Sequence, residues 1–173
     1  MTHKKNLPNI LQNIFLGHIY KQREIGIGTV VVPDDIFSPW DIVSAFKDMR
    51  SHIVPQFDSL LRGEVLEMLR ANGVNPMLEQ GVYVQTKGPR FESKAEIKFL
   101  SSVGDIVGMT CATEMTLFQE QGIAYALICM IDNMANGIQE LSLHSFHEGV
   151  KSNLSSVESI LGHVIDKFCP AEI

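Results

Sequence analysis

Residues 81–114 read "GVYVQTKGPRFESKAEIKFLSSVGDIVGMTCATE", and the order of signals inside them decides the fold class. "GVYVQTK" (81–87) mixes β-branched and aromatic residues, as strands do. Gly88-Pro89 then breaks the chain. Ser93 with Glu96 three positions later is a capping-box pattern, so a helix is predicted over 93–103. "DIVGMT" (105–110) reads as a short buried strand. "TEMTLFQEQ" (113–121) reads as a second helix, closed by Gly122. Connections are short and the strands are apolar throughout rather than alternating. That pattern predicts an α/β fold with a largely parallel or mixed central sheet flanked by helices.

The same rhythm extends outward. "IAYALICMI" (123–131) is a nine-residue apolar run, too short to span a bilayer and suited to a buried strand. "GTVVVP" (28–33) is β-rich and stops at Pro33. In "DSLLRGEVLEMLRAN" (58–72), Leu61, Val65, Leu66 and Leu69 share one helical face, and Gly73 sits at the C-cap. Over 144–168, Phe146, Val150, Leu154, Val157, Leu161, Val164 and Phe168 recur at helical spacing, which predicts a core-facing stripe. Residues 1–26 and 34–56 are the least regular.

The 173 residues suit one domain, 1–173, with 1–26 as its divergent part. The net charge of −6 is spread along the chain, which argues against nucleic acid or an anionic membrane as partner. A small anion is still compatible, because backbone amides and a few donors suffice. Cys111, Cys129 and Cys169 have no short spacing, so neither a disulfide framework nor a CxxC metal site is expected. A reducing compartment, the cytoplasm, follows as the default. "MTHKKNLPNI" has neither a long apolar region nor a small-residue cleavage site, so no signal peptide is expected.

Ligands of α/β sheets usually sit at the carboxyl ends of strands. Three such ends are polar here: Gly88–Glu92, Met109–Thr113 with Glu114, and "DNMANG" (132–137). Each also has a plain reading. Glu92 suits a helix N-terminus, where the macrodipole favours an acid. Thr110 and Thr113 suit helix caps. Asn136-Gly137 suits a turn. Met109 suits core packing. Arg90 suits either a surface ion pair or a ligand. His144 and His147 with Glu148 lie close on one helix, but no third ligand follows, so no metal is expected.

Taken together, "GVYVQTKGPRFESKAEIKFL", "GDIVGMTCATE" and "ICMIDNMANG" resemble the trimeric purine nucleoside phosphorylase and methylthioadenosine phosphorylase family. The resemblance runs from about Gly28 to the C-terminal helix. It implies that family's fold without its N-terminal strands, and phosphorolysis of a purine nucleoside with phosphate as co-substrate and no cofactor. In that resemblance Phe91 stacks beside the base. Glu92 accepts the N1–H of a 6-oxopurine; the 6-aminopurine branch usually has a small hydroxyl residue there. Inosine, guanosine or methylthioinosine is therefore implied. Met109 lies beneath the ribose, Thr110 binds phosphate, and Asn133 bonds purine N7 to stabilise the leaving base. Glu92 and Asn133 would thus carry the catalysis. Asp132 replaces a frequent threonine, and which of Asp132 and Asn133 faces N7 stays open. His147 falls near the 5′ position. His52 resembles the residue a neighbouring subunit lends there, which implies a homotrimer. The family's Gly-Ser-Gly phosphate loop, its Arg- and His-bearing segment and its Asn-Ala strand end have no match before Gly28. A second reading is therefore a homologue that binds purine or nucleoside without phosphorolysis.

Overall fold

A computed structural model of the chain describes residues 9–18, 25–40 and 43–169. Six strands form one mixed sheet: β1 (Asn9–His18), β2 (Val30–Val31), β3 (Asp35–Phe37), β4 (Val82–Gln85), β5 (Ile106–Gly108) and β6 (Tyr125–Met134). Four helices flank it: α1 (Ser59–Ala71), α2 (Lys94–Leu100), α3 (Cys111–Glu120) and α4 (Leu143–Phe168). A 3-10 turn lies at Met49–Ser51. The strand order is β2-β6-β1-β5-β4-β3. Pairs β1–β6, β3–β4 and β4–β5 are parallel, while β1–β5 and β2–β6 are antiparallel.

β6 organises the core. It is buried along both faces, as its unbroken apolar run requires. Ala126, Ile128 and Met130 face α1 and α4, meeting Val65, Leu69, Val157 and Ile160. Leu127, Cys129 and Ile131 alternate with them and face Met115 of α3. Each fully buried side chain of this size contributes about 1.5–3 kcal/mol relative to exposure. α2 covers the far side, placing Ile97 and Leu100 against Val84 of β4 and Val107 of β5.

Helix starts follow local chemistry. Asp58 accepts the Leu61 N–H at 2.8 Å and begins α1. Ser93 and Glu96 complete the expected capping box of α2. Gly73 and Gly122 take positive φ just past α1 and α3.

Four expectations are corrected. Residues 1–26 are not merely irregular, since β1 lies inside the sheet between β6 and β5. Register shifts near Asn13–Gly17 break its two-residue period, so alternation did not reveal it. Residues 34–56 contain β3 as well as loop. β6 runs on to Met134, so Asp132 and Asn133 belong to a strand rather than to a loop. Finally, the stripe on α4 is only partly core. Leu154 and Leu161 are 54% and 40% exposed, and the buried line includes Gly149, Asn153, Val157, Ile160 and Phe168. Among the described residues no helix is long and apolar enough to cross a membrane.

Candidate active site

The antiparallel pairing of β1 with β5 is what gathers the site. Through β1, Asn133 of β6 lies level with Val107 of β5, since both register with Gly17. The end of β6 therefore passes alongside β5, with Asn133 level with Val107 and Met134 level with Ile106. The site is not one carboxyl edge of a parallel sheet. It is a crossing of the end of β6 with the ends of β4 and β5.

A cleft of about 410 Å³ opens at this crossing. Phe91 and Glu92 from the β4–α2 loop line it, with Met109 and Thr110 after β5 and Asn133 at the end of β6. Five residues named from three separated motifs thus border one space. Asn133 is 7% exposed, and its Nδ2 donates to the Met134 carbonyl at 3.2 Å. An amide nitrogen carries two protons, so one more donation is available.

Met109 and Thr110 are placed by β4. Gln85 Oε1 accepts the Ala112 N–H at 2.6 Å, and its Nε2 donates to Thr113 Oγ1 at 2.9 Å. The Tyr83 hydroxyl accepts the N–H groups of Thr110 and Cys111 at 3.4 Å each. Burial pushes the Tyr83 phenol well above its usual range, so it remains a neutral hydroxyl. Side chains from a neighbouring strand therefore satisfy the start of α3. Thr110 stands at the N-cap but its side chain makes no capping bond. Thr113 is held by Gln85, and Glu114 accepts from the Tyr125 hydroxyl at 3.3 Å, so neither lines the cleft.

Gly88 permits the turn ahead of Phe91. It has φ +61°, and a Cβ there would meet Met109 Sδ at 2.7 Å. A side chain at 88 would both strain the backbone and displace Met109. Arg90 forks onto the Glu96 carboxylate at 2.8 and 2.9 Å and donates to the Phe91 carbonyl at 3.0 Å. This pair and the cap bond hold the Glu96 carboxyl at about 2, well below its usual range. Arg90 is thus used within the loop.

Asp132, His147 and His52 are not brought to the cleft lining. The two-residue period of β6 sends Asp132 to the α4 side, opposite Asn133. Asp132 is fully buried, and its Oδ1 accepts from Asn153 Nδ2 at 2.7 Å. Among the described residues its Oδ2 has no hydrogen-bond partner. Burial pushes this carboxyl up to about 6, against the lowering effect of the Asn153 bond. His147 is exposed on the first turns of α4, with its ring 5.7 Å from that of Phe146. His52 is exposed at the end of the 3-10 turn.

Phe146 is the cleft residue that the sequence reading assigned to the core. It lines the cleft and meets Phe91 edge-on, with centroids 5.4 Å apart. The usable signal was its place in the first turn of α4, right after the 135–142 connection. Among the described residues lining the cleft none is Lys, Arg or His, and the one charged group is Glu92. Nor do any three His, Cys, Asp or Glu side chains, among the described residues, gather as a metal would need.

Comparison with known proteins shows the family and the fold. Residues 19–166 match the model of the phosphorylase superfamily. A probable 6-oxopurine nucleoside phosphorylase of Archaeoglobus fulgidus is 34% identical over 148 residues, 84% of this chain and 61% of that protein. A probable S-methyl-5'-thioinosine phosphorylase of Thermodesulfovibrio yellowstonii is 32% identical over 149 residues, 81% and 56% of the two chains. The chain thus spans about three-fifths of the length of these relatives. In fold it is similar to a variant of the adenosine/methylthioadenosine phosphorylase of Schistosoma mansoni in complex with adenine. The TM-score is 0.80 at 19% identity, covering 96% of this chain and 67% of that one. A schistosome purine nucleoside phosphorylase in complex with hypoxanthine gives 0.77 at 20% identity, covering 93% and 62%. With most of its length matched to the family model and β4, β5 and β6 leading to one shared cleft, this chain belongs to the phosphorylase superfamily.

Proposed function

We propose that the chain acts as a purine nucleoside phosphorylase-like pentosyltransferase on 6-oxopurine nucleosides: inosine, guanosine or methylthioinosine. One observation carries this reading. Phe91, Glu92, Met109, Thr110 and Asn133 come from three distant motifs and line the same cleft. In the reaction a phosphate oxygen forms a bond to C1′ as the C1′–N9 bond breaks. The bonding pair leaves with the purine, where negative charge builds. Asn133 Nδ2 donates to N7 and stabilises that charge. Glu92 accepts the N1–H and selects a 6-oxopurine. Phe91, backed by Phe146, stacks beside the base, Met109 supports the ribose and Thr110 contributes to the phosphate. Phosphate is the co-substrate and no cofactor takes part.

On this reading the chain is one domain working in a homotrimer. His52 is exposed and absent from its own chain's cleft lining, which suits a residue lent to a neighbour. His147 then serves the 5′ end from the rim beside Phe146. Cys111, Cys129 and Cys169 are free thiols, which suits the cytoplasm.

A second reading has its own support. Among the described residues the cleft lining offers no cation to a phosphate dianion, so purine binding without phosphorolysis is the competitor. The decisive experiment mixes purified protein with inosine and follows hypoxanthine release with and without phosphate. Phosphate-dependent release is expected. Hypoxanthine binding by calorimetry without release selects the second reading, and neither binding nor release overturns both.

A further inference from the structure

We propose that Asn136 is a positioning residue that fixes the base-reading Glu92 relative to Asn133. This rests on the purine reading above for its consequence, though not for its geometry. Asn136 lies in the tight turn after β6, where Ile138 N–H donates to the Ala135 carbonyl at 3.0 Å and Gly137 takes φ +94°. A turn needs only small or polar residues there. Asn136 does more. Its Nδ2 donates to the Glu92 carbonyl at 3.1 Å, across 44 positions of sequence.

The peptide group that receives this bond is held at both ends. Its carbonyl belongs to Glu92 and is bonded by Asn136. Its N–H belongs to Ser93 and donates to Glu96 Oε2 at 2.7 Å. A peptide group is planar, so two opposed bonds fix its orientation. They therefore anchor the Glu92 Cα from which its side chain departs. The turn also seats against the start of α2, since a Cβ on Gly137 would come within 3.2 Å of Lys94 Cβ. Ala135, 2% exposed, packs with Ile97 and Leu100 of α2. Asn133 and Asn136 are three residues apart. One short segment thus carries the donor to one edge of the purine and sets the acceptor for the other edge.

The test has a ligand-free arm and a ligand arm, on Asn136→Ala and Asn136→Asp. The Asp variant keeps the size but has no donor for the Glu92 carbonyl. Thermal melting confirms that each variant is folded, and either one alone serves the test. In the ligand-free arm, hydrogen exchange of the Ser93 amide should rise in the variant while β6 amides stay protected. Unchanged Ser93 exchange overturns the inference whatever the ligand does. In the ligand arm, hypoxanthine affinity by calorimetry should fall about three- to tenfold, the scale of one neutral hydrogen bond. The double variant Glu92→Ala/Asn136→Ala should bind no more weakly than Glu92→Ala alone. Additive losses would show that Asn136 does not act through Glu92, and would overturn the proposal. Faster Ser93 exchange in a protein whose parent form binds no hypoxanthine would retain the clamp and overturn the purine reading instead.

Discussion

Asp132 and Asn133 are adjacent in sequence and belong to opposite faces of β6: Asn133 borders the cleft, and Asp132 is bonded to Asn153 of α4 at 2.7 Å. Under the proposed function the two residues therefore separate into chemistry and packing. Asn133→Ala should lower kcat for inosine phosphorolysis about 100-fold or more, the scale of a lost donor to developing negative charge. Asp132→Asn should cost far less turnover. Initial rates at saturating inosine and phosphate decide the matter, and a larger loss from Asp132→Asn would reassign the N7 contact.

Asp132 should instead be visible in stability against pH. Its carboxyl is raised from 3.8 to about 6 by burial, so the folded protein holds this proton more tightly than the unfolded chain. Below about pH 4 both states are protonated and the group costs nothing. As pH rises through about 6 the folded state must carry a buried charge, and stability falls. The full cost is about 3 kcal/mol, at 1.36 kcal/mol per unit. Asp132→Asn removes the titration. The stability difference, variant minus parent, should thus grow in the variant's favour between pH 4 and pH 8. Urea unfolding at those two pH values measures it, and a difference that stays flat would remove burial as the cause.

Two glycines of α4 should respond in opposite directions. A Cβ on Gly149 would overlap the Asp132 carbonyl oxygen, so α4 touches β6 there backbone to backbone. Gly149→Ala should destabilise by about 1–3 kcal/mol or more, because a well-packed site cannot absorb a methyl group. Gly162 has nothing within 4 Å of its would-be Cβ. Gly162→Ala should stabilise by about 0.5–1 kcal/mol through helix propensity. Thermal melts of both variants beside the parent test the pair, and like signs would contradict the packing described.

The legible parts of this fold were those whose signals are local. The α2 cap was readable because Ser93 and Glu96 are three residues apart and bond each other. β6 was readable because burial on both faces demands an unbroken apolar run. The motifs lining the cleft were found through resemblance, and the structure puts Phe91, Glu92, Met109, Thr110 and Asn133 together. What stayed hidden depends on partners distant in sequence. Gln85 caps α3 from 27 positions away, and no local pattern announces that. On α4 the buried line passes through Gly149 and Asn153, which serve Asp132 rather than the apolar core. A search for apolar periodicity therefore chose Leu154, one residue off that line. β1 was missed because shifts in register disturb its alternation.

Within the β4–α2 loop, charge and chemistry divide between Arg90 and Glu92. Arg90 is committed to Glu96 and to the Phe91 carbonyl, so it shapes the loop. Glu92 has its backbone committed and its side chain bordering the cleft. Glu92→Ala should weaken hypoxanthine binding roughly 10- to 100-fold, the range for a hydrogen bond to a charged group, with little change in melting temperature. It should also erase any preference for hypoxanthine over adenine, because the N1–H acceptor is gone. Arg90→Ala should weaken both purines alike, since it loosens the loop without removing the acceptor. Calorimetry with the two bases on the two variants distinguishes these outcomes. A preference that survives Glu92→Ala would remove Glu92 from base selection and return it to the helix-terminus role that its position before α2 already explains.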